Sequence, residues 1–105
     1  MVLSILTRKT RIADRTQWQA LVDGVLPKLM AVLEAEQGFV SIEYFWNIDE
    51  PGHFAQVTTW QSTDDCRSYV RNGAAATVAT LEDAVIPTAP HPDGAWVRRN
   101  FERQP

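Results

Sequence analysis

A chain of 105 residues with 45% apolar and 22% charged residues is long enough to bury one hydrophobic core and too short for two, so a single domain over 1–105 is expected. Its formal net charge of -3 is spread without a basic stripe, which argues against nucleic acid or an anionic membrane surface as a partner. The single cysteine excludes an internal disulfide, no apolar run approaches the roughly 18 residues of a bilayer span, and the charges of MVLSILTRKTRI follow its apolar stretch, the reverse of a signal peptide; a cytoplasmic protein is expected.

Residues 2–12 are rich in β-branched and aliphatic side chains and predict a first strand that becomes more exposed toward its end. Asp14 or Thr16 then suits a helix cap, and Trp18, Leu21, Val22, Val25, Leu26, Leu29 and Leu33 recur at helical spacing as a core face. Pro27 removes one backbone hydrogen bond inside that stripe, which predicts a kink over 24–28 or a helix entered late, with Gly38 as the stop. Residues 39–46 alternate, placing Val40, Ile42, Tyr44 and Trp46 on one face and Ser41, Glu43 and Phe45 on the other. A turn over 47–52, NIDEPG, joins this second strand to a third over 54–60 as an antiparallel hairpin. Ser62 caps a second helix with Asp64 and Asp65 in its first turn, Asn72-Gly73 offers a break, and the helix resumes over 74–85. Pro87, Pro90 and Pro92 disfavour helix beyond it, and AWVRRNF over 95–101 reads as a fourth strand.

The order β-α-β-β-α-β predicts an α+β, ferredoxin-like fold: a four-stranded antiparallel sheet with two helices on one face. The other sheet face is left bare, and an apolar face of that kind marks an interface, so pairing of two chains through their sheets is expected.

The segment HFAQVTTWQSTDD, in which an alternating strand ends in Trp60 and runs straight into the Ser62 cap, carries a family likeness. Together with the first strand and the closing AWVRRNF, it makes the whole chain resemble the antibiotic biosynthesis monooxygenase family of dimeric α+β barrel proteins. The resemblance implies a homodimer whose sheets close into a barrel, with an apolar pocket in each subunit between sheet and helices. It further implies a cofactor-independent monooxygenase that oxidises a small aromatic or polycyclic phenolic metabolite with dioxygen. A non-catalytic small-ligand-binding barrel, or an isomerase or cyclase on the same scaffold, is the alternative. Trp60 matches the family's strand-end tryptophan, whose indole N–H can donate to a substrate oxygen while the ring forms an apolar wall. Gln56 stands four residues earlier, where quinone-forming members carry Asn, and keeps an amide on a longer arm. Haem-degrading members add a helix His and a first-strand Asn; Val70 and Thr7 stand there in this chain, which argues against haem.

Trp60 and Gln56 are therefore the candidate catalytic residues, with Tyr44, Trp46, Tyr69 and His53 as candidate substrate-binding residues and no cofactor or metal expected. Each has a plainer reading. Trp60, Tyr44, Trp46 and Tyr69 suit core packing, and Gln56 suits a hydrogen bond to backbone. His53 beside the Pro-Gly turn and His91 between prolines suit solvated loops, and they are not spaced as a metal pair. Cys66 in a helix first turn has Asp64 and Asp65 beside it, which disfavours a reactive thiolate. Arg98 and Arg99 point to opposite faces of the last strand, so at most one of them faces a pocket. No paired carboxylates suit acid–base chemistry.

Overall fold

The computed structural model describes residues 1–10, 12–85 and 96–105, with side chains of the third helix described through Glu82. The elements are β1 (Val2–Lys9), α1 (Arg15–Leu33), β2 (Phe39–Trp46), β3 (His53–Trp60), α2 (Thr63–Asn72), α3 (Ala74–Val85) and β4 (Val97–Glu102). All strand pairs are antiparallel in the order β2-β3-β1-β4, so the ferredoxin-like α+β expectation holds, with the second helical segment split in two at Gly73. Among the described residues no helix is long and apolar enough to cross a membrane. His91, the three prolines of residues 87–92 and Ala95 lie outside the described residues.

Local chemistry accounts for the helix ends. The Asp14 carboxylate accepts from the amides of Thr16 (2.8 Å) and Gln17 (3.1 Å), and the Ser62 hydroxyl accepts from the Asp65 amide (3.1 Å). Helix α1 is not entered late. It runs unbroken through Pro27, which lies on the exposed face, while Trp18, Val22, Val25, Leu29 and Leu33 form the buried stripe. The helix stops at Leu33, before Gly38; that glycine instead supplies the positive φ of 78° that turns the chain into β2.

Antiparallel pairing lines up residues that share a face. Toward the helices run the rows Phe39–Trp60–Val2, Ile42–Thr58–Ser4–Asn100, Tyr44–Gln56–Leu6–Arg98 and Trp46–Phe54–Arg8. The core fills the space between these rows and the helix stripes. Val40 does not join Ile42, Tyr44 and Trp46 as strict alternation predicts. A β-bulge between Phe39 and Ser41 inserts one extra residue, so Phe39 takes the inward place opposite Trp60 and Val40 is exposed. Strand β1 ends at Lys9, because the Thr10 amide turns to the Gly52 carbonyl (2.7 Å); Ile12 still reaches the core from the loop.

Gly52 closes the hairpin with φ of 90°, and a Cβ there would lie 2.5 Å from the Thr10 carbonyl oxygen. Gly52→Ala is therefore expected to destabilise the fold by about 1–3 kcal/mol, read as a lower urea midpoint at unchanged slope.

The sheet face away from the helices carries Leu3, Phe45, Val97 and Phe101 as exposed apolar side chains, with Ile5 and Val57 half-buried between them. It is the bare apolar face expected from the element order.

Candidate functional site

The centre of the helix-facing sheet surface is the row Tyr44–Gln56–Leu6–Arg98, to which each strand contributes one side chain. Gln56 is 1% exposed, and its Oε1 accepts a 2.8 Å hydrogen bond from the Tyr44 hydroxyl. Burial, with Tyr69 adding to it, pushes the Tyr44 phenol far above its ordinary range, so it stays protonated and remains a donor. The Gln56 Nε2 is buried without a hydrogen-bond partner.

Two helices bring aromatic surface over this row. Trp18 of α1 packs against Tyr44, Trp46 and Phe54 at ring-centroid distances of 5.8, 5.5 and 5.3 Å, and its indole N–H is also buried without a partner. Tyr69 of α2 stacks on Trp60 at 4.5 Å, and the Arg98 guanidinium lies 5.8 Å from the Tyr69 ring centroid. The Tyr69 hydroxyl is close to Thr77 and Arg98 but forms no well-shaped hydrogen bond. Burial raises this phenol, against the opposing pull of Thr77 and Arg98. A buried donor left unpaired costs about 1–3 kcal/mol, so several of them over one row mark a place where acceptor atoms belong.

Trp60 is fully buried, and its indole N–H is already committed: it donates to Thr58 Oγ1 at 2.9 Å, and Thr58 in turn donates to the Ser4 carbonyl at 3.5 Å. Its ring faces Tyr69 on one side and the Phe39 edge at 5.7 Å. What Trp60 offers this site is ring surface, since the donor expected from the family likeness is occupied within the sheet.

No family model and no curated protein matches the sequence. Solved structures do match its fold. An antibiotic biosynthesis monooxygenase is 12% identical with a TM-score of 0.61, each chain covering 100% of the other. SnoaB, a cofactor-independent oxygenase from Streptomyces nogalater, is 13% identical over 99% of this chain and 93% of its own, with a TM-score of 0.64. The monooxygenase from the gene ActVA-Orf6 of Streptomyces coelicolor, in complex with the ligand nanaomycin D, is 14% identical over 99% and 88%, with a TM-score of 0.68. The chain shares the fold of these proteins.

Within this shared fold, Tyr44, Trp46, Gln56, Trp60 and Tyr69 all lie on the helix side of the sheet. His53 does not join them. By strand alternation it points to the opposite face, paired with Lys9, and its Nδ1 lies 3.1 Å from Asn47 Nδ2 and 3.4 Å from Glu50 Oε2. It lines a groove of about 230 Å³ at the hairpin end with Thr7, Phe45 and Asn47, which Trp46 and Phe54 also border, so Trp46 is the one candidate residue that His53 meets there. Among the described residues no three His, Cys, Asp or Glu side chains are grouped to hold a metal ion.

The choice between the two arginines is settled by hydrogen bonding: Arg98 faces the helices and donates to Ser4 Oγ (2.7 Å), which donates to Asn100 Oδ1 (2.6 Å), while Arg99 is exposed on the other face. Cys66 Sγ stands 3.9 Å from Asn100 Oδ1, and burial pushes its thiol up, with Arg98 and Arg67 opposing, so it is not an activated nucleophile. Sequence reasoning passed over Arg8, whose guanidinium stacks 5.2 Å from the Trp96 ring centroid and pairs with Glu82 at 3.1 Å; Trp96 donates to the same carboxylate oxygen at 2.6 Å. The available signal was parity: Ser4 and Arg8 share the face of Val2 and Leu6 in β1.

Proposed function

We propose that this protein is a cytoplasmic, homodimeric, cofactor-independent monooxygenase that oxidises a small aromatic or polycyclic phenol with dioxygen. The observation that supports this best is the Gln56 amide, held by Tyr44 through its oxygen and buried among aromatic rings with its Nε2 unpartnered. The rings of Trp18, Tyr44, Trp60 and Tyr69, packed on one another about the row, make its surroundings apolar and aromatic, as a planar substrate requires, and Gln56 offers a donor to the substrate oxygen. In the reaction a deprotonated ring carbon adds dioxygen, and the resulting hydroperoxide loses water. One oxygen atom stays as a quinone carbonyl and the other leaves as water, so a ring CH₂ and O₂ become C=O and H₂O, with all four electrons coming from the substrate. The protein's part is orientation and exclusion of bulk water. Fold likeness to SnoaB and the ActVA-Orf6 enzyme agrees with this chemistry, and the bare apolar sheet face agrees with a dimer.

Dioxygen uptake measured with a panel of anthrones and hydroquinones is the test. Wild type is expected to exceed the no-protein rate, and Gln56→Ala to lose roughly 10²-fold, the usual consequence of removing one oriented donor. Uptake that never rises above the background for any panel member removes the oxygenase reading. The occupied Trp60 N–H favours one second reading, a barrel that binds a small ligand without turnover, and tight binding with no uptake is its signature.

A further inference from the structure

We infer that Arg98 and Tyr44 select the ligand of this site: Arg98 as counter-charge to an anionic oxygen, phenolate or enolate, on a planar ligand, and Tyr44 as the positioning residue that turns the donor side of the Gln56 amide toward it. The inference rests on reading the helix-facing row as the substrate site.

Three observations carry it. First, the unpartnered buried atoms of Gln56, Trp18, Tyr69 and Arg8 all bear hydrogens to donate, and among the described residues no buried side-chain carboxylate oxygen is left open. A ligand rich in acceptors satisfies such a surface, because Gln56 Nε2, Trp18 Nε1 and Arg8 Nε can only donate, whereas one rich in donors finds only the Tyr69 hydroxyl among these atoms able to accept. Second, the positive charge is unbalanced. Arg8 is paired with Glu82, but Arg98, separated from Gln56 in the row by Leu6 alone, donates to the neutral Ser4 hydroxyl, lies beside the neutral Tyr69 phenol and has no carboxylate within 4.0 Å among the described residues. The other titratable groups about the row are Tyr44 of β2 and Cys66 and Tyr69 of α2, which burial holds in their protonated, neutral forms; beyond them the Glu36 carboxylate acts on Tyr69 and the Arg67 guanidinium on Cys66. Third, the amide has only one arrangement that uses the Tyr44 proton. With Oε1 accepting from Tyr44, the NH₂ is the side presented to the interior. Without the hydroxyl, either end of the amide can turn inward and the selection for acceptors is lost.

The probe is alizarin, a flat hydroxyanthraquinone whose absorbance reports ionisation of its phenol, titrated against pH with and without the intact protein. Bound alizarin is expected to ionise about one pH unit or more below free alizarin, a roughly tenfold gain in phenolate at a given pH, because a half-buried cation and aligned donors favour the charged form. Arg98→Met is expected to abolish most of that shift, and Arg99→Met, one residue away on the opposite face, to leave it intact. Tyr44→Phe keeps the ring packed against Trp18, so it is expected to weaken alizarin about tenfold while leaving the affinity for anthracene, equally flat but without oxygen, unchanged. The inference is overturned if folded wild type does not bind alizarin, if bound alizarin ionises at or above its free-solution pH, if Arg99→Met removes the shift as fully as Arg98→Met, or if Tyr44→Phe weakens both probes alike. A colour shift without dioxygen uptake would retain this selectivity and remove the monooxygenase reading; uptake with no shift would do the reverse.

Discussion

Replacing Trp60 with alanine is expected to lower folding stability by about 3–5 kcal/mol, the range for truncating a large buried aromatic. For a domain of this length that corresponds to a fall in melting temperature of more than about 10 °C. The side chain is wholly buried, stacked on Tyr69 and edge-on to Phe39, and it sits in the row between Val2 and Phe39, so no neighbouring loop is free to collapse into the space it leaves. Trp60→Phe separates packing from polarity. It keeps most of the ring contact and removes the N–H bond to Thr58, whose hydroxyl still donates to the Ser4 carbonyl, so a loss of about 1–2 kcal/mol is expected. A thermal shift of only a few degrees for the alanine variant would show that Trp60 is not a core element. Dioxygen uptake by the phenylalanine variant near the wild-type rate would agree with a residue that contributes a wall and no hydrogen bond to substrate.

The same residue shows what a sequence can and cannot reveal. Trp60 at the end of an alternating strand, followed at once by a serine cap and two aspartates, was legible as a strand-to-helix junction because period-two alternation and capping chemistry are local properties. The order of elements followed from equally local signals, and the two helix segments broke at Asn72-Gly73 where composition placed the break. The direction of the Trp60 N–H was not legible. It depends on Thr58, two residues back on the same face, and on the Ser4 carbonyl of β1, a contact across 54 residues of chain. Val40 was misplaced for a related reason: a bulge shifts the parity of one strand only where it meets its partner, and nothing in FVSIEYFW marks it. His53 belongs to the stretch that carries the family likeness, yet one step of alternation sends it to the far face. Parity did group Gln56 correctly with Phe54, Thr58 and Trp60. That Tyr44 bonds its oxygen, and that Arg98 is the inward arginine, required the register of β2 and β4, which is set by tertiary pairing.

Phe101→Asp is expected to convert a dimer of twice the 11.8 kDa chain mass into a monomer, read by sedimentation velocity, with the dissociation constant raised on the order of 10³-fold or more. Phe101 lies beside Leu3 at one edge of the bare sheet face and is 50% exposed; Phe45, 52% exposed, stands at the other edge, and Ile5 and Val57 lie between. A carboxylate set into an apolar contact of this kind loses its water without gaining a partner, at a cost of several kcal/mol. Phe45→Asp, on a different strand, is expected to have the same effect, and agreement between the two distinguishes a shared face from a local distortion of β4. A wild-type chain that sediments as a clean monomer would rule out the barrel. Since Tyr44, Gln56, Tyr69 and Arg98 all come from one chain and face away from this surface, the monomeric variants are expected to stay folded and to retain the alizarin colour shift. Loss of that shift together with the dimer would mean that the second chain completes the site, by contributing a group or by holding β4, an edge strand paired only to β1, in register.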